Sequence, residues 1–286
     1  MDPYKHFVSE FTRLLRHGKT LPLGGFKPPG QPTISPDAPK ALIFSPHPDD
    51  EVIIGGLALR LLREAKMNVI NVAVTQGTNQ ARKSERLEEL KACCRHIGFG
   101  LVQTGVSGLE GINLATRTQQ TGLWSKSVGC VSEILLEHRP RLIFFPHEDD
   151  WNSTHIGTHH LVVDALAKLD RSFECYTVET EFWGAMDRPN LMVESSEQDV
   201  SDLITALTLH VGEVQRNPYH LRMPAWLIDN VRRGSELVGG QGGAAADFQF
   251  ATLYRLRKWR GGKLETILKN GKFLSQSENP GTLFLS

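Results

Sequence analysis

Between residues 41 and 180 the sequence alternates short apolar runs with longer amphipathic stretches, and this alternation most constrains the fold. The apolar runs are ALIFS, NVINVAVT, LVQTGV, RLIFFPH and FECYTVET. The amphipathic stretches predict helices over residues 52–66, 83–98, 126–138 and 155–169. Strands that alternate with helices form βαβ units, which give a parallel sheet covered by helices on both faces. We therefore predict an α/β fold with a doubly wound, mostly parallel Rossmann-like sheet.

The two ends of the chain depart from this pattern. Residues 4–16 have helical apolar spacing and are followed by a segment dense in Pro and Gly, which is incompatible with regular structure. Residues 1–40 are therefore predicted to form a helix and an extended arm. Residues 41–286 are predicted to form a single domain. Its less regular C-terminal third, with a helix over 202–215 and a strand over 250–259, is expected to cap the mouth of a pocket.

Composition excludes several classes of protein. The chain of 286 residues has a formal net charge of zero and a pI near 7.2, so nothing indicates binding to nucleic acid or to anionic membranes. An apolar run of membrane-spanning length and a signal-peptide core are both missing from the sequence, which predicts a cytoplasmic protein without membrane insertion. The four cysteines form no CxxC pair, and we expect them to be buried structural thiols.

Two clusters of His and Asp follow two of the predicted strands. FSPHPDDE spans residues 44–51 after the first strand, and HEDDWNSTHIGTHH spans residues 147–160 after the fourth. Ligands of doubly wound sheets lie at the carboxyl ends of the strands, so both clusters are expected on the same rim. His and Asp suit zinc and similar divalent ions. Asp and Asn also cap helices, so each cluster taken alone is equally well explained by capping.

A metal ion would explain the crowding of charge in the first cluster. His47 and Asp50 are three residues apart across a turn, so their side chains can converge on one ion, while Asp49 stays free to take a proton from an activated water. Catalytic zinc usually has three protein ligands, so the third should come from the second cluster, in which His155 lies at the predicted start of a helix. The other donors there are His147, Asp149, Asp150, His159 and His160.

These motifs resemble the PIG-L/LmbE-like family of zinc-dependent N-deacetylases. The resemblance covers residues 41–169 and includes PHPDDE, the TQGTN turn, the R-x-x-E pattern and the second cluster. It implies that His47, Asp50 and His155 hold zinc or another divalent cation and that Asp49 is the general base. It also implies that Arg86 and Glu110 contact the substrate, a small N-acetylated sugar or conjugate. The expected activity is hydrolysis of its linear amide. The oligomeric state stays open, and the N-terminal arm is the candidate surface for a homo-oligomer.

The second motif departs from the family at one position. Many members carry a histidine where this chain has Asn152, and that histidine is thought to polarise the carbonyl or protonate the leaving amine. Asn152 can donate a hydrogen bond to an oxyanion but cannot supply a proton. His210 and His220 are further candidates for lining the pocket. Two alternatives stay open: a metal-dependent hydratase of an unsaturated carboxylic acid, and a non-catalytic sugar- or metal-binding protein.

Overall fold

The structure is a computed structural model that describes residues 2–285. Its strands are β1 Lys40–Ser45, β2 Asn68–Ala73, β3 Gly100–Gln103, β4 Leu142–Pro146, β5 Cys175–Thr180, β6 Leu191–Ser195, β7 Phe250–Arg260, β8 Lys263–Thr266 and β9 Lys272–Leu274. Its α-helices are α1 Pro3–Gly18, α2 Asp50–Ile53, α3 Gly56–Arg63, α4 Lys83–Ile97, α5 Leu114–Gln119, α6 Thr121–His138, α7 Ser153–Lys168, α8 Glu197–Leu207, α9 Val211–Arg216 and α10 Met223–Leu237. Short 3-10 turns lie at Gln80–Arg82, Tyr219–Leu221 and Pro280–Leu283.

The strands form one mixed sheet in the order β3-β2-β1-β4-β5-β7-β6-β9, with β8 paired to β7. Strands β1 to β5 run parallel to one another. Strand β7 runs antiparallel to both β5 and β6. The predicted fold class is confirmed, with an antiparallel extension at one side. Because β1 pairs with both β2 and β4, the strand order reverses between β1 and β4, and a doubly wound sheet binds ligands at such a point.

Side chains from the two faces of the sheet enter two separate apolar cores. Along β1, Ala41 and Ile43 belong to the core that includes α3, α4 and α8, while Leu42 and Phe44 belong to the core under α6 and α7. All four are buried. A strand that is apolar on both faces is typical of the centre of a parallel sheet with helices on each side, so the rim beyond β1 is built on rigid scaffold.

The single helix predicted over 52–66 is divided in two. Helix α2 ends at Ile53, and α3 begins at Gly56. A Cβ on Gly55 would lie 2.3 Å from a methyl carbon of Leu203, so only glycine allows α8 to pack this closely. The hydroxyl of Tyr254 donates to the Ile54 carbonyl at 2.5 Å and accepts from Leu57 N–H at 3.1 Å, which satisfies backbone groups at the break.

The C-terminal third is more regular than predicted. Helix α10 lies in the part predicted to be less regular. Its Pro224 is compatible with the helix because it lies in the first turn, where a missing N–H costs nothing. Strands β6, β8 and β9 and helix α5 were also missed. They are short, and the register of β6 comes from pairing with β7 and β9, far away in sequence.

The N-terminal arm packs along this body. Gln31 Nε2 donates to the His96 carbonyl at 2.8 Å, and Asn68 Nδ2 donates to the Ser35 carbonyl at 3.0 Å. The arm is proposed to end at residue 40, which is also where strand β1 begins. Between residues 2 and 285, no helix combines the length and the apolar character needed to cross a membrane.

Candidate metal centre and active site

The loops after β1 and β4 bring the two His/Asp clusters together at the switch point of the sheet. His47 lies in the β1 loop, Asp50 opens α2, and His155 lies in the first turn of α7. His47 Nδ1 is 3.2 Å from His155 Nε2 and 3.4 Å from Asp50 Oδ2, and His155 Nε2 is 3.3 Å from the same oxygen. The structure thus brings the three predicted ligands around one point, although His155 is 108 residues from His47 in sequence.

The three donor atoms fit a divalent cation. Their separations form a nearly equilateral triangle whose centre lies roughly 2 Å from each atom, which matches zinc bonds to nitrogen and oxygen of about 2.0–2.2 Å. Two imidazole nitrogens 3.2 Å apart need a shared proton or a cation between them. Asp50 and His155 are buried, so a bound ion would be shielded from bulk water on that side.

Electrostatics around His155 and Asp50 favour opposite charges. Burial alone would raise the pKa of Asp50, but the charge and hydrogen bonds of His155 and His47 hold it well below its usual range. Burial would lower the pKa of His155, yet Asp50 and then Asp150 raise it to about 9 in the metal-free protein. In the metal-free protein the protonated ring of His155 therefore neutralises the charge of Asp50, as a bound metal cation would.

Asp150 belongs to the support of this centre. Its Oδ1 lies 3.5 Å from His155 Nδ1, the ring nitrogen that faces away from the other two ligands. Its Oδ2 accepts from the backbone N–H groups of Trp183 and Gly184, both at 3.2 Å. A carboxylate in this position fixes the orientation of a ligating imidazole. Sequence spacing offered Asp150 only as one more candidate ligand.

Asp49 lies beside the triangle in an unusual conformation. Its φ of 112° falls in the left-handed region, which a non-glycine residue rarely adopts, and its side chain makes no capping bond to α2. Its backbone N–H donates to Glu51 Oε2 at 2.9 Å, which helps to hold this conformation. Burial and then the charge of Asp50 raise the pKa of Asp49 to about 7, the range suited to a general base.

Tyr219 is a site residue that sequence reasoning missed. It follows Pro218 in a 3-10 turn, and its hydroxyl donates to Asp49 Oδ2 at 2.5 Å. Burial and the charge of Asp49 raise its pKa above its usual value, so the hydroxyl stays a donor. Its position, 170 residues from Asp49 and outside the recognisable motifs, gave no signal in sequence.

The two histidines proposed for the pocket have other surroundings. His210 is fully buried, and its Nε2 donates to Glu51 Oε1 at 2.7 Å. It therefore supports the carboxylate that holds Asp49 rather than facing the triangle. His220, next to Tyr219, is also buried, and burial lowers its pKa. His159, one of the other donors of the second cluster, has its Nδ1 3.0 Å from the Pro146 carbonyl.

Asn152 is the N-cap of α7. Its Oδ1 accepts from Thr154 N–H at 2.8 Å, and its own N–H donates to Asp150 Oδ1 at 2.8 Å. Capping therefore accounts for its side-chain oxygen and places it one turn before His155. The hydrogen bond from its amide group to an oxyanion stays a prediction.

The two predicted substrate contacts have different settings. Arg86 Nη2 donates to the Pro48 carbonyl at 2.9 Å, which supports the loop that carries His47 and Asp49. Glu110 accepts from Lys83 Nζ at 2.7 Å and lines a polar cavity of about 310 Å³ that reaches His47. A second, mainly apolar cavity of about 230 Å³ is lined by Tyr219 and other residues.

Comparison with known proteins agrees with this geometry. The family model described as PIG-L, GlcNAc-PI de-N-acetylase, matches residues 42–166, the part of the chain that contains all three triangle residues. No curated protein sequence matches the chain.

Several solved structures share the fold. The N,N'-diacetylchitobiose deacetylase from Pyrococcus horikoshii is 16% identical with a TM-score of 0.55 and covers 87% of this chain and 92% of its own. GalB, the 4-carboxy-2-hydroxymuconate hydratase from Pseudomonas putida KT2440, is 16% identical with a TM-score of 0.54, covering 76% and 95%. The zinc-inhibited form of teicoplanin deacetylase Orf2 is 15% identical with a TM-score of 0.53, covering 75% and 97%. At these identities the likeness establishes the fold.

Proposed function

Because residues 42–166 form a PIG-L family domain, we propose that the protein is a metal-dependent hydrolase that removes an N-acetyl or longer N-acyl group from an amino sugar or its conjugate. The observation that carries this proposal is the position of Asp49, a carboxylate directly before Asp50 and beside the triangle of His47, Asp50 and His155. A carboxylate base next to a cation site is the arrangement that water-driven amide hydrolysis needs.

His47, Asp50 and His155 are proposed to hold the cation, with zinc as the first choice and iron or another divalent ion as alternatives. When bound there, the cation supplies Lewis-acid polarisation of the amide carbonyl and makes water more acidic. The two imidazole nitrogens and one carboxylate oxygen leave room for substrate and water, as in catalytic rather than structural zinc sites.

Asp49 is proposed to carry the proton through the reaction. It takes a proton from the attacking water, whose oxygen bonds to the carbonyl carbon, and then gives that proton to the nitrogen as the C–N bond breaks. The products are a carboxylate and a free amine. Tyr219 orients the Asp49 carboxylate through its 2.5 Å hydrogen bond, and the Asn152 amide is proposed as a donor to the oxyanion.

The polar cavity beside His47 is the proposed site of the sugar. Lys83, Glu110 and Thr154 contribute to its wall, which offers both donors and acceptors to hydroxyl groups. Arg86 is proposed to reach the same substrate, although its bond to Pro48 already gives it a structural task.

The test is a screen of N-acetylated sugars with the metal-loaded protein, scored by release of free amine. Asp49→Asn should retain the metal, and its rate should fall by a factor of about 10²–10⁴, the usual contribution of a general base. His155→Ala should lose the metal itself, measured by elemental analysis of the purified protein. If Asp49→Asn stayed nearly fully active, the assignment of the base would be wrong.

A metal-dependent hydratase of an unsaturated carboxylic acid is the second candidate. Asn152 favours it, because it stands where many family members have a histidine and it cannot protonate a leaving amine. The hydratase among the solved structures has the same fold. Turnover of an enoic acid, with no amine released from any amide, would select this reaction over hydrolysis.

We propose a cytoplasmic location. All four cysteines are free thiols in the structure, which suits the reducing cytoplasm.

We also propose a second copy of the chain as a partner. Helix α1 presents an exposed apolar face that includes Phe7 and Phe11, and this face is proposed to pack against the second copy.

A further inference from the structure

A cavity of about 230 Å³ has a wall that, among residues 2–285, shares no residue with the polar cavity at His47. Its wall is formed mainly by Phe182, Trp183, Leu207, Met223 and Trp226. An apolar cavity of about 150 Å³ is large enough for a benzene ring. By that scale the space suits roughly six to nine carbon atoms, and an acetyl methyl group would leave most of it unfilled.

Three contacts join this cavity to the proposed reacting groups. Tyr219, whose hydroxyl is 2.5 Å from Asp49, contributes to its wall. Phe182 contributes too, and its ring centroid lies 4.6 Å from that of His155. Ile53, the last residue of α2, completes the contact with the helix that begins at Asp50. The cavity therefore opens beside the position of a bound amide.

The two cavities have opposite chemistry. The one at His47 carries Lys83, Glu110 and several hydroxyl groups, which suit a sugar. The other carries aromatic and aliphatic side chains, with the exposed Arg222 as its charged member. The sugar is the substituent on the amide nitrogen, and the acyl chain is the substituent on the carbonyl carbon. The chemistry of each cavity therefore suits a different part of one substrate.

We propose that this apolar cavity binds the acyl chain of the substrate and that the preferred amide carries a medium-length chain rather than acetyl. This inference rests on the proposed hydrolase function. The reaction is the same hydrolysis as for an acetyl group. Water adds to the carbonyl carbon, the C–N bond breaks, and the products are a medium-chain fatty acid anion and the amino sugar.

The first experiment compares N-acetyl-, N-butyryl-, N-hexanoyl- and N-octanoylglucosamine with the metal-loaded, full-length protein. We expect kcat/KM to rise about fourfold per added methylene, the equivalent of about 0.8 kcal/mol for each buried CH₂ group. Trp226→Ala should reduce the ratio of octanoyl to acetyl activity by about tenfold, because one wall of the cavity is removed. Met223→Phe should move the preference to shorter chains, because it fills part of the space.

Ile228→Ala is the matched control. Ile228 lies on the same helix α10, is 44% exposed and is not part of the cavity wall. It should leave the chain-length profile unchanged. Acetyl and octanoyl substrates turned over at equal rates by the unmodified protein would overturn the proposal.

Calorimetric titration of the metal-free protein with octanoate and with acetate separates the cavity from the reaction. Both anions carry the same carboxylate, so any excess affinity for octanoate measures the chain. We expect octanoate to bind at least tenfold more tightly, and Trp226→Ala to remove most of that difference. Octanoate binding without hydrolysis of any amide supports the cavity and overturns the proposed function. Hydrolysis of N-acetyl substrates with no excess affinity for octanoate supports the proposed function and overturns the proposed acyl-chain cavity.

Discussion

At the scale of single residues, the site depends on how Asp49 is held. Its left-handed backbone is a conformation that costs energy. Glu51 accepts its N–H, and His210 in turn donates to Glu51. Strain supported by buried hydrogen bonds is typical of functional residues. Glu51, the last acid of PHPDDE, thus has a structural task, and Asp49 is the proposed base.

Tyr219→Phe should change the pH dependence of the reaction. The hydroxyl of Tyr219 stabilises the charged form of Asp49, and its loss raises the pKa of that carboxyl further. Because the base must be deprotonated to accept a proton, the acidic limb of the kcat/KM profile should move to higher pH, with the rate at pH 7 lower by about tenfold. Tyr176→Phe, a matched change on β5, should leave the profile unchanged. A Tyr219→Phe profile with an unmoved acidic limb would remove Tyr219 from this role.

Asp49→Asn should stabilise the metal-free protein at neutral and alkaline pH. The pKa of Asp49 is raised to about 7 in the folded chain, above its usual value of 3.8, so folding takes up a proton between these values. The stability that depends on this proton is present at low pH and is lost as the pH rises through 7. Removing the charge should therefore raise the free energy of unfolding at pH 8 by on the order of 2 kcal/mol.

The measurement is denaturant unfolding of both proteins at pH 8 and pH 5, with chelator present. The difference should shrink at pH 5, where Asp49 is already neutral in the folded state. The raised pKa of Asp49 would be contradicted if the two proteins had the same free energy of unfolding at both pH values, or if Asp49→Asn were the less stable protein at pH 8.

The residues of the triangle could be predicted, whereas Tyr219 could not. His47, Asp50 and His155 follow strands whose pattern is clear, and the rule for parallel sheets brings strand ends together. The position of Tyr219 depends on how the C-terminal third folds back over the rim. The local sequence, a single tyrosine after Asn-Pro, does not predict that tertiary position. The same holds for the supporting contact between Asp150 and His155, whose geometry depends on a loop.

At the scale of elements, the break between α2 and α3 depends on close packing at Gly55. Gly55→Ala places a Cβ 2.3 Å from Leu203 and 2.7 Å from the Val52 carbonyl, so we expect a loss of about 1–3 kcal/mol of unfolding free energy. Gly122→Ala is the matched control, because a Cβ there has no atom within 4 Å. Since Gly122 is exposed and lies in the first turn of α6, alanine should change the free energy of unfolding by less than about 0.5 kcal/mol. Thermal unfolding of both variants tests the pair, and equal shifts would contradict the close packing at Gly55.

Elements with their own sequence pattern were predicted, and those that depend on distant partners were not. Strand β4 is apolar throughout and buried at every position, so its sequence specifies it. Strand β9 has three residues, and its pairing with β6 is the result of tertiary packing. Helix α10 was missed although its one proline, Pro224, lies in the first turn, where proline is compatible with a helix.

At the scale of the whole molecule, α1 leaves an apolar surface in water. Phe7, Phe11, Leu14 and Leu15 lie along one side of the helix and are 41–60% exposed. Its C-terminal end meets the body, where Gly18 is buried and a Cβ on it would lie 2.7 Å from Leu221. A contiguous exposed apolar stripe is typical of an interaction surface. A second copy offers an identical stripe, and self-complementary contacts of this kind are the commonest way to form homodimers.

We therefore expect the protein to have the mass of more than one chain in light scattering at micromolar concentration. Phe11→Glu should shift it toward the single-chain mass of 31.9 kDa, because a charge in the centre of a buried apolar stripe is costly to desolvate. Lys5→Glu is the matched control, since it introduces the same side chain on the same helix outside the apolar face. It should leave the mass unchanged, so that a loss of assembly in Phe11→Glu alone assigns the interface to that face. A single-chain mass for the unmodified protein would rule out a second copy as the partner of α1.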